Sequence, residues 1–566
     1  MERYCYKLRN GVKKNAVPNQ SRPRSIKISW LALLILSFAF VLSFRFRLLN
    51  VPLERDEGEY AYLGQLMLQG VPPYQLAYSM KFPGVFAAYA VIMSIFGETP
   101  AGIHLGLCLV NVATAVLLFS LAWRLFDWIA GVATAASFLF LSISPSVLGL
   151  AGHATHFVML FVIAGALLLL KALQEQSPWR FFASGMLFGT GILMKQPAIA
   201  FSLFGATYLL GKTFKTQNRW VMARWLTIYC VGNLLPIGAT LFLLWRAGVF
   251  PNFWRWTIQY AHIYAGSVPL EIAWNNISKT MVYLLRVGLL LWLIALLGLS
   301  ACVWNQTVRS HALFLAGLFF FSAIALSAGL NFREHYFILL LPSLSLCIGA
   351  FVFCLRPGRS SLVVVAAFGI AFAQPLLADF RIFFTLPADQ VARAIYQQNP
   401  FPEAVAIAKY LRANTSSEDN IAVLGSEPEI YFYSGRRSAT SYIYMYPLLE
   451  WQPYAVDMQH ELISQITVNR PKFVVFVSIA RSWSWQPPPL ENILPAWFDQ
   501  YSSNELTSIG LVNIVSMNRT DYCLPCHPNA TTSSPYHISI YQRKRSEGEK
   551  SISSPDGNAS PTKPPS

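Results

Sequence analysis

The sequence predicts a polytopic α-helical membrane protein with a small extracytoplasmic α/β domain at its C-terminal end. Three observations carry this. Hydrophobic residues make up 54% of the 566 and charged residues 12%, against roughly 45–50% and 25% in a soluble domain. Many apolar runs approach ~20 residues, the length that spans a bilayer core. After about residue 380 the apolar runs give way to a mixed helix and strand pattern. This composition excludes a disordered chain, a coiled coil, a small disulfide scaffold and a wholly soluble globule.

The elements follow in order. A basic tail, residues 1–29, carries Arg3, Lys7, Arg9, Lys13, Lys14, Arg22, Arg24 and Lys27. The apolar run from Trp30 to about Phe44 lacks a small-residue cleavage pattern, so it reads as a retained first helix with a cytoplasmic N-terminus. Further spans are expected near 100–125, 128–149, 156–173, 180–194, 197–211, 222–246, 281–303, 311–329, 336–355 and 360–379, about eleven in all. Threaded alternately, they put basic residues inside over outside by roughly two to one, as the positive-inside rule requires. The net charge of +16 therefore reads as orientation and anionic-lipid contact, with no nucleic-acid partner. Pro83–Phe96 is apolar but short, and is expected along the outer membrane face. The transmembrane domain is residues 30–379, with a first outer loop over 50–99. Residues 380–544 form the outer domain. It has helical spacing over Glu403–Arg412, Glu427–Tyr433 and His460–Asn469, and strands at Asn420–Leu424, Phe473–Val477, Leu511–Ser516 and Ile538–Tyr541. Residues 545–566 have a disordered composition.

Chemistry concentrates in the first outer loop. Glu54, Asp56, Glu57 and Glu59 lie within six residues, beside Tyr60 and Tyr62. A partly desolvated carboxylate there can be a general base or a metal ligand. Glu57 and Glu59 also suit the first turn of a helix running to about Gln69, where acids favour the dipole. Asp56 reads equally as an N-cap or as a base. Lys81, before Phe82-Pro83-Gly84, can snorkel to head groups or hold a lipid-linked phosphate. Lys195, between two apolar half-helices, is harder to explain as snorkelling. Arg333 can pair with Glu334 or with a phosphate. His153 and His156 flank Thr155, and read more readily as polar loop residues than as metal ligands. The loop Pro251–Thr280, with His262 and Tyr264, suits an interfacial aromatic belt or sugar stacking. Cys523-x-x-Cys526-His527 is formally a haem-attachment pattern, but no haem pocket is evident, and a local disulfide is the simpler reading.

At these positions the chain resembles the bacterial branch of the GT-C membrane glycosyltransferases, the group of protein O-mannosyltransferase-like and lipid A aminoarabinose transferase-like enzymes. The matching features run in order: Arg47-Leu48-Leu49 at the end of the first span, Asp56-Glu57 with Tyr60, then Lys81 with Pro83. Gly191 to Lys195 with Pro197 resembles the glycine-rich helix ending in lysine. His335-Tyr336-Phe337 with Pro342 follows, then Gly425 to Tyr431 and Ser434 to Arg437 in the outer domain. The resemblance implies a GT-C fold and an inverting transfer of sugar from a polyprenyl phosphate. It implies Asp56 as base on the acceptor hydroxyl, and Glu57 in orienting the loop or assisting. Lys81 would hold the donor phosphate, with Lys195 or Arg333 adding charge. Tyr60, Tyr62, Thr155, His156, His262, His335 and Tyr336 are weaker candidates for substrate contact. The family's acid in the second outer loop is missing from Gly152–Phe157, where Thr155 takes its apparent place, and no arginine stands beside His262 and Tyr264. No metal ligand set and no definite cofactor are assigned, and a divalent metal is compatible with the acids.

The resulting expectation is a glycosyltransferase of the bacterial plasma membrane, with its C-terminal domain outside the cytoplasm. Its acceptor would be a glycan, lipid or protein. A transporter or flippase of lipid-linked sugars is the alternative. Transporters place ionisable groups at mid-membrane and often show internal repeats, whereas here the charges gather at outer loop ends and no repeat appears. A membrane-anchored binding protein acting through the outer domain is a third reading.

Overall fold

The computed structural model describes residues 24–214, 218–355, 361–483, 491–526 and 531–544. Residues 1–23 of the basic tail, the expected inner charges at Lys215, Arg356 and Arg359, His527 and the tail 545–566 lie outside these. The described residues form two compact units, one of those up to Tyr74 with those from Ser79 to Ile395, the other of Gln75–Tyr78 with those from Tyr396 onward.

The first unit is helical throughout. Its elements are α1 (Arg24–Arg47), α2 (Arg55–Leu68), α3 (Pro83–Phe96), α4 (Pro100–Leu125), α5 (Trp128–Leu141), α6 (Ala154–Glu175), α7 (Pro178–Met194), α8 (Ile199–Thr213), α9 (Arg219–Arg246), α10 (Leu270–Trp304), α11 (Ala312–Leu326), α12 (Leu341–Cys354) and α13 (Ser361–Ala378). Among the described residues, α1, α4, α6, α9 and α10 are long and apolar enough to cross a membrane, and α3, α5, α11, α12 and Val365–Ala378 are shorter apolar helices. Large apolar side chains stay exposed on several of them, including Trp220, Leu243, Trp274 and Leu297. In water such surface would be costly; against lipid tails it costs nothing.

Two expected spans differ in a way that shapes the site. The run 128–149 stops being helical at Leu141 and turns through a 3-10 segment, Pro145–Val147, with Leu148 left-handed at φ 52°. Proline lacks the amide that would continue the helix and disfavours helical backbone before it. The loop before α6, expected as the second outer loop, therefore begins at Ser142, well before its expected start. The run 336–355 opens as a 3-10 turn, Glu334–Leu339, and becomes α-helical only at Leu341, with Pro342 in its first turn. His335 and Tyr336 consequently sit on a turn ahead of α12.

The second unit holds a five-stranded sheet of order β1-β2-β5-β3-β4. The strands are β1 (Ile421–Leu424), β2 (Phe473–Ser478), β3 (Leu506–Ser516), β4 (Arg519–Cys523) and β5 (His537–Arg543). The β1–β2 pair is parallel and the others antiparallel. Helices Phe401–Ala413, Glu429–Ser434 and Ala455–Asn469 match the helical spacing of the sequence. Strand β4 was not legible, because Arg-Thr-Asp-Tyr-Cys is short and polar and pairs on one side only. Cys523 and Cys526 are joined as a disulfide, which leaves neither thiol for haem. Residues 75–78 belong to this unit: the Tyr78 amide donates to Ser441 O at 2.7 Å and its hydroxyl to Glu461 Oε1 at 3.0 Å.

Helix α3 presses its first turn against the end of α7. A Cβ on Gly84 would stand 2.5 Å from Leu193 O, so only glycine admits this approach, which brings the Lys81 segment to the Lys195 turn. Gly84→Ala should therefore lower stability by about 1–3 kcal/mol, the usual cost of overpacking. Thermal unfolding in detergent checks this.

Candidate active site

The first outer loop is built around Glu57. Helix α2 is capped by Glu54, whose side chain accepts the Glu57 amide at 3.0 Å while the Glu57 carboxylate reaches back to the Glu54 amide. This is a capping box with glutamate in the usual serine or threonine place. Glu54 is the cap, so Asp56 is not. The ambiguity that the sequence leaves for Asp56 is resolved by its neighbour two residues earlier.

Glu57 does more than close the cap. Its Oε1 accepts the Gly152 amide at 2.5 Å and lies 3.2 Å from His104 Nε2. The other nitrogen of His104 faces Leu49 O at 2.8 Å. The Tyr89 hydroxyl donates to Gly152 O at 2.7 Å. Both polar groups of the Gly152 residue are thus held by buried side chains from α2 and α3. A Cβ there would strike the Tyr89 hydroxyl at 2.3 Å.

The next residue, His153, enters the site. Its Nδ1 lies 3.6 Å from Asp56 Oδ2 and 3.7 Å from Glu54 Oε1. His335 Nε2 lies 3.8 Å from the same Asp56 oxygen. The two imidazoles stack with centroids 4.1 Å apart and planes 12° from parallel. Lys81 stands at the other oxygen, with Nζ 3.6 Å from Asp56 Oδ1 and 3.3 Å from the Tyr60 hydroxyl. Asp56 therefore shows one oxygen to a lysine and the other to two histidines.

Lys81 is placed by its backbone. Its amide donates to Ser79 Oγ at 3.1 Å and its carbonyl accepts the Tyr74 hydroxyl at 2.7 Å. Gln196 Nε2 donates to Met80 O at 2.7 Å, tying the Lys81 and Lys195 segments together. Lys195 is buried, with Nζ 4.0 Å above the Tyr336 ring, a cation–π contact. Arg333 caps the 3-10 turn and is half-buried.

The charges are mutually supported. Burial pushes the Asp56 carboxyl up, but Lys81, His153 and His335 outweigh it and hold the carboxyl well below the usual range. Burial pushes Lys81 down, and Asp56, Tyr60 and Glu59 more than offset this and hold it well above its usual value. Glu54 and Glu59 are pushed up to about 7, chiefly by burial.

Asp56, Lys81, Tyr60, His335, Tyr336 and Lys195 thus come together. Four other candidates do not. Thr155 donates to His335 O at 3.2 Å, a backbone tie. His156 turns to Asn111, with Nδ1 2.9 Å from Oδ1. His262 is exposed on the short helix Ala261–Gly266, and Tyr62 is packed in the core of α2. The place given to Thr155 belongs to His153. Sequence reasoning set His153 aside because its spacing to His156, three residues on, is by itself a weak ligand signal. The Glu54-x-x-Glu57 spacing was the available signal for the cap.

Residues 81–245 match the family model for dolichyl-phosphate-mannose-protein mannosyltransferase. The fold is similar to that of ArnT from Cupriavidus metallidurans bound to undecaprenyl phosphate, at 15% identity over 90% of this chain and 97% of that one, with a TM-score of 0.56. The oligosaccharyltransferase AglB from Archaeoglobus fulgidus, in complex with an inhibitory peptide and a dolichol-phosphate, aligns over 92% of this chain and 76% of that one, at 13% identity and a TM-score of 0.49. No curated protein sequence matches the chain. The chain thus shares the fold of ArnT, and part of its helical unit matches a mannosyltransferase family model. The transporter reading has no support beside it.

The clamp on Gly152 can be tested directly. Glu57→Ala strands the Gly152 amide and one His104 nitrogen, and should cost about 2–3 kcal/mol. Tyr89→Phe removes a single hydrogen bond and should cost about 1 kcal/mol. Thermal unfolding of the purified protein measures both.

Proposed function

We propose that this glycosyltransferase moves a sugar, with inversion, from a polyprenyl-phosphate donor to an acceptor hydroxyl on a glycan, lipid or protein. The carrying observation is Asp56, a carboxylate with Lys81 at one oxygen and His153 and His335 at the other. Asp56 takes the proton of the acceptor hydroxyl as its oxygen attacks the anomeric carbon on the face opposite the phosphate. The carbon–oxygen bond to the phosphate breaks, and the bonding electrons leave with the polyprenyl phosphate. Lys81 meets that charge, with Lys195 and Arg333 adding to the positive field. Glu57 acts through the loop and touches no reactant. Tyr60 and Tyr336 orient the two lysines.

The same reading puts the N-terminus in the cytoplasm of a bacterial cell and the C-terminal unit outside the plasma membrane. The excess of lysine and arginine on one set of loops supports that orientation. Residues 30–379 would carry catalysis, and residues 380–544 would lie on the acceptor side.

The test is release of free polyprenyl phosphate from a panel of polyprenyl-phosphate hexoses and pentoses in nanodiscs. Asp56→Asn should lower turnover by about 10²–10⁴-fold, the range for loss of a positioned base. Lys81→Ala should lower kcat by about 10²-fold or more through the unmet leaving-group charge. Turnover retained in Asp56→Asn overturns the assignment.

A further inference from the structure

The second unit holds a cavity of about 300 Å³ that the transfer chemistry leaves unused. Ligand pockets begin at that size, running over roughly 300–1,000 Å³. The described residues that line it all belong to this one unit. It lies toward the carboxyl ends of the parallel pair β1 and β2, where Leu424 stands opposite Phe476. Sheets with parallel strands bind ligands at that end. Leu449, closing the short helix Tyr446–Leu449, adds a second wall. Trp483 closes the helix Ala480–Trp483, and Trp497 and Phe498 come from helix Leu494–Glu505.

These walls are fixed by hydrogen bonds within the unit. Buried Gln459 donates through Nε2 to Leu448 O at 2.9 Å and to Glu491 O at 3.4 Å, and its Oε1 accepts the Ile493 amide at 2.9 Å. One side chain thus ties the Leu449 wall to residues 491–493. The Tyr446 hydroxyl donates to Arg481 O at 2.6 Å. Ser482 Oγ accepts the Ser426 amide at 2.8 Å and donates to Glu427 Oε2 at 2.6 Å, which joins the turn after β1 to the helix after β2. The Phe476 ring stacks on Phe498 with centroids 4.4 Å apart and lies 5.4 Å from Trp483. The cavity is therefore shaped before any ligand enters, which spares the cost of ordering its walls on binding.

The lining decides the chemistry of the ligand. Among the described residues it is aliphatic and aromatic apart from the Asn492 amide. The Trp483 indole N–H is already donated to Val477 O at 2.7 Å, and Asn492 Oδ1 accepts the Leu494 amide at 3.3 Å. A sugar ring here would exchange its hydration for few hydrogen bonds, and buried hydroxyls without partners are costly. A hydrocarbon chain gives up no hydrogen bond. Phe476, Trp483 and Trp497 are half-buried, so a bound chain would remove further apolar area from water. The same protein has helices long and apolar enough to cross a membrane, so lipid hydrocarbon is the apolar ligand it meets. We propose that this cavity binds the hydrocarbon chain of a lipid, either acyl or isoprenoid.

This inference goes beyond the proposed transfer and is read without turnover. Delipidated full-length protein in detergent would be irradiated with a diazirine-bearing fatty acid or a diazirine-bearing isoprenyl phosphate, and labelled peptides mapped by mass spectrometry. Labelling should be saturable on Ala480–Trp483 and on residues 494–498, and unlabelled chain should compete. Labelling by the fatty acid alone identifies an acyl chain, and by the isoprenyl phosphate alone the tail of a carrier lipid. In an acyl series, each added methylene should tighten half-saturation about 4-fold until the cavity is full. Ala480 lines the cavity from an exposed position, so Ala480→Trp fills it and should lower saturable labelling of residues 494–498 at least ~10-fold. Trp497→Ala removes a wall and should weaken half-saturation about 10-fold. Val468→Trp, at a 74% exposed position away from the lining, should label as wild type does. Unfolding temperatures identify the folded variants. Labelling that misses these segments or rises linearly with probe overturns the proposal. So does unchanged labelling in folded Ala480→Trp and Trp497→Ala, or competition by soluble oligosaccharides and by neither chain. Saturable labelling in a protein inert toward every donor would sink the transferase reading and leave this site standing.

Discussion

The Glu57 carboxylate is the interaction on which the rest of the site depends. It reaches the Glu54 amide, accepts the Gly152 amide and faces His104. Each contact has a different consequence. The first assigns the capping duty to Glu54, so Asp56 is not the cap. The second fixes the second outer loop, so that the residue after Gly152 projects toward Asp56. The third anchors the group to α4, one of the long apolar helices. A buried carboxylate without partners would be expensive, and here its burial is offset by the contacts that set the loop.

The same economy governs the charges. Asp56 and Lys81 are held in each other's charged forms, and the two oxygens of Asp56 face different partners. One side is a cation on a flexible stem and the other a rigid stack of aromatic rings. A lipid-linked phosphate needs the mobile cation. A positioned base needs the rigid side. The two demands fall on one carboxylate without competing for the same oxygen.

The helical membrane architecture was legible because apolar length is a strong signal and survives any detail of packing. So was the outer α/β unit, whose buried strands Ile421–Leu424 and Phe473–Ser478 read as short apolar runs. Asp56, Lys81 and Lys195 were legible because ionisable residues beside apolar segments demand an explanation. What sequence could not give was which residue of the second outer loop faces Asp56. That depends on where α5 stops, which Pro145 decides, and on a hydrogen bond between Glu57 and Gly152, 95 residues apart. A position-by-position reading put Thr155 in that place. Three-dimensional constraint put His153 there.

That substitution also bears on how far likeness carries. A shared fold at 15% identity fixes helices and loops but not the atoms that face the substrate, because function resides in sites placed upon folds. His153 and His335 bring imidazole nitrogens rather than a second carboxylate to Asp56 Oδ2. Asp56 then remains the one carboxylate shared between the lysine and the two rings. Changing the loop residue alters the partner of that carboxylate without moving it, since its position is fixed by the Glu54–Glu57 cap on one side and by Tyr60 and Lys81 on the other. Such a scaffold can change what faces Asp56 through one loop residue while the carboxylate itself stays in place.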